Sequence, residues 1–569
     1  MMKTTHKAKL LAMVVAAALA GCSSDDPKDV TPEVPEVPQN NAPVAGEVAQ
    51  ATIVNQVITL DVVAVASDAD GDEVSLVADS VSASVGDAVY YGGKISYFAP
   101  LGTDGEVTVS YTLTDGTDET AATATVTVED KTMSVEYMGS QSCLGCHADH
   151  ASFLETGHNF KINKVENDQA PKYPFSNIDG RLEQLVERLE SGDSFIENIL
   201  QPSSYADVTY VIGGYHWKNR WADADGYVHA GTGTQFNLQA EEGAADQWGN
   251  YKSGQVFKDG ERLKDGYTYG CGGCHNTGYK RYDEELNPNR QWDLVGTGGT
   301  WELSGVQCEA CHGAGNEHVD TMVAISNTPH VLDSELLRIT RKATPRTAEA
   351  LAADDMAFGQ AVHCAECHTR DGERKYDSET GEYKTPYNKA FPEGSTYGGR
   401  IVGNNKGYGL GKHHQTIDEL VGVNPATGEE MGKHFQAGLD CSSCHNPHKS
   451  TVNRDKPGHD GALKSVCTDC HTDQAPSGAT HAALDCTSCH MPGTAKSAIY
   501  EDFTPMMGGG EESVRLGDVK GHIFKIDLSK SSAELEMDGF VYPAISRDQA
   551  CGACHSESFR EMTKSTVIH

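Results

Sequence analysis

Apolar and polar positions divide the chain into four regimes. Leu10 to Ala20 form an unbroken apolar run behind Lys3, Lys7 and Lys9. The run is about half of the roughly 20 residues that a bilayer-spanning helix needs, so with its basic flank it predicts a signal peptide over residues 1–21. Over residues 22–42 the apolar positions give way to Ser, Asp and Glu with recurring Pro27, Pro32, Pro35 and Pro38. Such a segment cannot fill a core and favours extended backbone, which predicts an acidic, proline-rich tether. Residues 43–129 alternate: Val107–Leu113 and Ala122–Val128 are apolar at every second position. A period of two predicts half-buried strands, and Asp70-Gly71, Asp104-Gly105 and Asp115-Gly116 mark turns between them, giving an all-β antiparallel sandwich of about seven strands. From 130 to 569 periodic segments are short. Leu182, Leu185, Val186, Leu189 and Ile196 predict one helix over roughly 178–200, and the rest predicts a mainly α and irregular domain with little regular secondary structure.

The charge balance removes one class of function. With 82 acidic against 45 basic residues the chain carries −37, whereas binding to nucleic acid depends on clustered Lys and Arg. Along the sequence those cations are scattered. Asp68, Asp70 and Asp72 place carboxylates at alternate positions beside Gly71, an arrangement that could hold calcium. The other ligands of a twelve-residue calcium loop are absent, so a solvated acidic turn is the simpler reading.

Cysteine spacing carries the chemistry. Cys143-Leu-Gly-Cys146-His147 is followed by Cys271-Gly-Gly-Cys274-His275, Cys308-Glu-Ala-Cys311-His312, Cys364-Ala-Glu-Cys367-His368, Cys441-Ser-Ser-Cys444-His445, Cys467-Thr-Asp-Cys470-His471, Cys486-Thr-Ser-Cys489-His490 and Cys551-Gly-Ala-Cys554-His555. These eight units use 16 of the 17 cysteines, the other being Cys22. A random chain of this composition would hold roughly 0.02 such units, so they predict c-type haem attachment. Two thiols three residues apart lie on one helical turn and reach the two vinyl groups of one porphyrin, while the next residue, His, reaches the iron. Zinc knuckles need paired Cys-x-x-Cys without a histidine after each, and a disulfide framework would not place His after every second Cys. The expected cofactors are therefore eight covalent haem c groups. Of 24 histidines, removing eight proximal ones and His6 leaves 15, enough for eight sixth ligands. No unit ends in Lys instead of His.

Three resemblances add to this reading. Leu19-Ala-Gly-Cys22 resembles the lipobox of bacterial lipoproteins, which implies lipidation of Cys22, and Ser23 in place of Asp implies the outer membrane, on its periplasmic or cell-surface face. Attachment would be through the lipid alone. Residues 43–129 resemble bacterial cadherin-like and immunoglobulin-like domains. The region from about 135 to 569 resembles multihaem cytochromes c related to the tetrahaem electron acceptor of hydroxylamine oxidoreductase. That likeness is carried by the haem units, by Val208-Thr-Tyr-Val-Ile-Gly-Gly-Tyr-His-Trp-Lys218, and by Gly299-Thr-Trp-Glu302 running into Cys308.

The resemblance implies a set of distal ligands. His158, His318, His363, His434, His448, His481 and His522 stand in contexts like those of the family's ligands, and so does the pair His413-His414, of which His414 is taken as the ligand. His150, His216, His229, His330, His459 and His569 lack such context and read as ordinary polar residues. The expected function is an octahaem electron conduit without catalytic residues of its own, exchanging electrons with redox partner proteins or external acceptors. Two other classes stand beside it. One is a reductase of a small nitrogen or sulfur oxyanion at an open haem, which would need basic residues near that haem. The other is a self-assembling subunit of a conductive filament, as some relatives are.

Overall fold

The alternating segment closes into two facing sheets. In the computed structural model, which describes residues 39–129, 136–330, 364–371, 399–506 and 513–560 apart from short breaks inside these spans, β1 (Ala49–Ile53), β3 (Ser75–Leu76), β4 (Ser82–Ala83), β7 (Gly105–Thr114) and β8 (Glu119–Glu129) form one sheet, and β2 (Val57–Leu60), β5 (Asp87–Tyr91) and β6 (Lys94–Phe98) the other. The signal peptide, Cys22, most of the tether, His363 and His569 lie outside the described residues.

Val107, Val109, Tyr111 and Leu113 of β7 are buried with Ala124, Val126 and Val128 of β8 against Leu60, Ile95 and Tyr97 of the facing sheet. The Thr and Ser residues between them face out, as the period of two requires. Eight strands form where about seven antiparallel ones were expected, and β1 runs parallel to β8. Gly116 takes φ 93°, which the tight β7–β8 connection requires. The sandwich begins before residue 43: Asn40 Nδ2 donates to Asp115 and Asp118, and Asn41 to Asp70. Asp68 Oδ1 accepts the N–H groups of Asp70 and Asp72, and ligand atoms of the three carboxylates lie within 4.8 Å of one another.

The rest of the chain departs from the mainly α expectation. Its largest sheet has six strands in the order β10 (Phe195–Ile196), β13 (Gly231–Asn237), β12 (Lys218–Trp221), β11 (Tyr210–Gly213), β9 (Ile162–Lys164), with β14 (Trp248–Tyr251) on the other side of β13. Aromatic and β-branched residues between glycine turns suit a pleated surface better than a helix. One face buries Ile178, Leu182, Leu185, Trp221 and Phe236; the other buries Tyr210, Ile212, Tyr269 and Trp301.

The helix expected over 178–200 spans only Arg181–Ser191, because Gly192 turns left-handed at φ 84° and Ile196 buries as part of β10. Among the described residues only this α-helix and the α-helix Asn316–Ile325 exceed six residues, beside an eight-residue 3₁₀ segment at Ala148–Glu155. No described helix is long and apolar enough to cross a membrane.

The sandwich also touches the cysteine-rich region. Phe98 packs with Met322 of helix Asn316–Ile325, and the fully buried His330 side chain joins Asp87 Oδ2 and Ser96 Oγ, each at 2.8 Å. His330 is therefore an interdomain contact and not a surface residue.

Candidate haem-binding cavity

Where all five residues are described, the Cys-x-x-Cys-His units fold as helical turns. The N–H of His147, His368, His445, His471, His490 and His555 donates to the carbonyl of its own first cysteine at 2.8–3.0 Å. This bond winds the five residues so that both thiols and the imidazole leave from one side. None of these 16 cysteines is paired in a disulfide. The 16 cysteines and eight histidines of the eight units all line one connected cavity of about 3760 Å³, several times the ~300–1,000 Å³ of a typical small-molecule site. The donor set and the space both fit covalently held haem.

Neighbouring units adjoin through their thiols. Cys143 lies against Cys308 and Cys364 against Cys441. Cys274 Sγ is 3.9 Å from the carbonyl of Cys367. Cys444 neighbours Cys470, Cys467 neighbours Cys486, and Cys489 neighbours Cys554.

Two imidazoles on one metal, each bound through a ~2 Å nitrogen bond, have ring centres roughly 6 Å apart. Five proximal histidines have a nominated distal ring at that separation: His147 with His318 at 6.4 Å, His312 with His448 at 6.2 Å, His445 with His522 at 6.0 Å, His471 with His434 at 5.9 Å and His555 with His481 at 5.9 Å. His368 has two, His158 at 6.4 Å and His414 at 6.1 Å. Among the described residues, no histidine ring stands at this distance from His275; Tyr269 does, at 6.2 Å. His150, left unassigned from sequence, stacks on His448 at 4.2 Å.

Burial suits these rings to ligation. It holds His158, His275 and His522 down to about 3 and His368 and His448 to about 4, which keeps them in the neutral form that can bind a metal. Backbone geometry aims several of them. His414 sits at φ 60°, as does Phe524. The Phe524 carbonyl is 2.7 Å from His490 Nδ1, the contact that orients a ligating ring, and its side chain packs on His434 at 4.6 Å.

Three features escaped the sequence. Glu309, inside the third unit, is buried and accepts the N–H groups of Met138, Gly139 and Gly315 at 2.7–2.9 Å, binding the approach to the first unit onto the third. Its only sequence signal is an acid followed closely by glycines. His229 and His459 are fully buried rather than surface residues. Lys161, Lys218, Arg220 and Arg370, scattered along the chain, line the one cavity together.

Comparison with known families agrees with this geometry. Residues 40–129 match the model of the bacterial Ig domain, 228–313 that of cytochrome c554 and c-prime, and 433–476 that of the doubled CXXCH motif. The chain is a multihaem c-type cytochrome with an N-terminal immunoglobulin-like domain. This cytochrome binds haem c covalently and serves electron transfer. The family matches cover less of the chain than the expected span of 135–569. No curated protein matches it.

Among solved structures, local likenesses include an endo-fucoidan hydrolase of glycoside hydrolase family 107 (20% identity, 16% of this chain and 14% of that one, TM-score 0.13). A putative alpha-galactosidase from Bacteroides fragilis NCTC 9343 (14% identity, 21% and 24%, TM-score 0.13) and a chimeric titin Z1Z2 (17% identity, 16% and 97%, TM-score 0.10) are others. The first two matches span less than a quarter of those proteins.

Proposed function

We propose that the protein carries eight haems and passes electrons along them between redox partners and external acceptors. The observation that carries this reading is the single cavity lined by all eight units. Cys274 Sγ against the Cys367 carbonyl links the second unit to the fourth, and thiol neighbours link the fourth to the fifth and so on to the eighth; the first adjoins the third. His448, three residues beyond the fifth unit's His445, faces His312 of the third and joins the two groups. Every haem would then have a neighbour, which is what a relay requires.

When bound, each haem supplies a one-electron couple. The chain's own residues set its spacing and potential, and bis-histidine ligation without a Met ligand favours low potentials. The units from 143 to 555 average roughly 50 residues each, sparse cover that leaves haem edges near the surface. The lipobox-like Cys22 and the tether fit an outer-membrane lipoprotein held by its lipid at some reach. The net charge favours basic partner surfaces or cationic acceptors, with encounter rates that fall as salt rises.

Stopped-flow oxidation of the reduced protein by a soluble ferric chelate and by an insoluble ferric oxide tests the relay, alongside intact mass for the haem count. Rapid oxidation by either supports the reading. Oxidation by neither, or a mass accounting for seven haems or fewer, overturns it.

A further inference from the structure

One short helix, Thr416–Val421, gathers histidines nominated for three consecutive irons. It starts just after His414, and Ile417, Asp418, Glu419, Leu420 and Val421 are all buried. Its first turn is tied to the fourth unit. Ile417 N donates to the His368 carbonyl at 3.2 Å. Asp418 accepts the Thr369 hydroxyl at 2.9 Å and the N–H groups of Arg370, Asp371 and Gly399 at 2.6, 3.3 and 3.2 Å. Its far end carries the turn Lys433–Gln436, and with it His434. There Gly432 N donates to the Val421 carbonyl at 3.0 Å, and a Cβ on Gly432 would collide with the Leu420 carbonyl, so the approach needs glycine.

The remaining tie reaches furthest along the chain. Glu419 Oε2 accepts the main-chain N–H of His522 at 2.9 Å, across 103 residues. On the other side of that peptide, Gly521 N donates to the carbonyl of Pro492, just beyond the seventh unit. The apolar face of the helix completes the grip: Ile417, Leu420 and Val421 pack with Phe435, next to His434, and with Phe524, two residues beyond His522. The Phe524 ring stands 4.6 Å from that of His434 and 5.9 Å from that of His522.

Burying a carboxylate is costly unless donors meet it, so Glu419 and the His522 N–H hold each other in place. With its backbone fixed, the His522 ring keeps only its two side-chain torsions, and a metal ligand must be held to within about 0.5 Å. We propose, on the ligand pairs assigned above, that Glu419 is the positioning residue that sets His522 on the fifth iron, working from a helix already anchored to His368 of the fourth haem and His434 of the sixth. Removing its carboxylate frees the His522 backbone and leaves the attachment cysteines untouched.

The test uses the haem-loaded full chain, read by electron paramagnetic resonance of the oxidised protein and by intact mass. His522→Ala identifies the low-spin signal of the fifth haem by its conversion to high spin. Glu419→Ala should keep the haem mass of the unaltered protein, because attachment needs only the local unit, while that same signal shifts or gives way to a high-spin one and the others stay. Glu419→Gln, whose amide carbonyl can accept the same N–H, should keep the original spectrum. If Glu419→Ala yields no holoprotein, Glu419→Asp, which withdraws the carboxylate by one methylene, should move the signal instead. A fifth-haem signal unchanged in Glu419→Ala, or in Glu419→Asp where the alanine variant fails, overturns the positioning role and leaves the ligand pair standing. A spectrum unchanged in His522→Ala overturns both. Changes spread over all the haem signals in Glu419→Ala, or a Glu419→Gln protein as perturbed as Glu419→Ala, would assign Glu419 to general packing and also overturn the proposal.

Discussion

Glu309 offers the sharpest test of how the haem units are held together. Its carboxylate is 1% exposed, with Oε1 accepting from Met138 and Gly315 at 2.9 and 2.7 Å and Oε2 from Gly139 at 2.8 Å. In Glu309→Gln one oxygen remains and an NH₂ group replaces the other, so at least one buried N–H meets a donor. An unsatisfied buried donor costs about 1–3 kcal/mol, and the two surviving bonds lose their charge assistance, which puts the total at about 2–4 kcal/mol. Unfolding entropy of roughly 2 cal/mol/K per residue over a cooperative unit of about 400 residues gives ~0.8 kcal/mol/K, so Tm should fall by about 2–5 °C. Glu309→Ala, which orphans all three donors, should fall further. The assay is thermal unfolding of the haem-loaded protein, with the spectra of the first and third haems recorded alongside, since Cys143 and Cys308 are neighbours. A Glu309→Gln protein with unchanged Tm and unchanged spectra would refute the role assigned to this carboxylate.

Replacing His318, His434 or His448 by Ala should each convert one low-spin haem to high spin, read by electron paramagnetic resonance; a variant without the new signal is removed from the ligand set. Deleting residues 43–129 should leave the haem complement intact by mass, because no unit lies there, yet speed proteolysis near residues 326–330 by freeing Met322 and His330; loss of haem would make the sandwich part of the haem fold. Burial raises Asp418 from 3.8 to about 7. Below about pH 4 the group is protonated in both states and costs nothing. Between pH 4 and 7 the unfolded chain ionises and the folded one resists, so stability falls with rising pH by up to about 4 kcal/mol, at 1.36 kcal/mol per pH unit, and levels off above. Urea unfolding from pH 4 to 8 should show Asp418→Asn flattening this slope, and an unchanged slope would count against the burial argument.

The haem units were legible in the sequence because attachment is local: two thiols and an imidazole need one helical turn, and five contiguous residues supply it. The sandwich was legible for the same reason, since the alternation at Val107–Leu113 assigns a face to each residue before any partner strand is known. The Ile178–Leu200 pattern misled because hydrophobic spacing does not reveal that Gly192 can leave the helix and that Ile196 finds a better place in a sheet. The distal histidines were legible only as candidates. His318 faces His147 and His448 faces His312 across long stretches of chain, and which ring meets which iron depends on how those stretches pack. Lys161, Lys218, Arg220 and Arg370 show the limit most plainly. A charge has no periodicity and acts through space, so only the folding of the sheet that carries β12, β11 and β9 and the approach of the fourth unit bring these four scattered cations to the lining of one cavity.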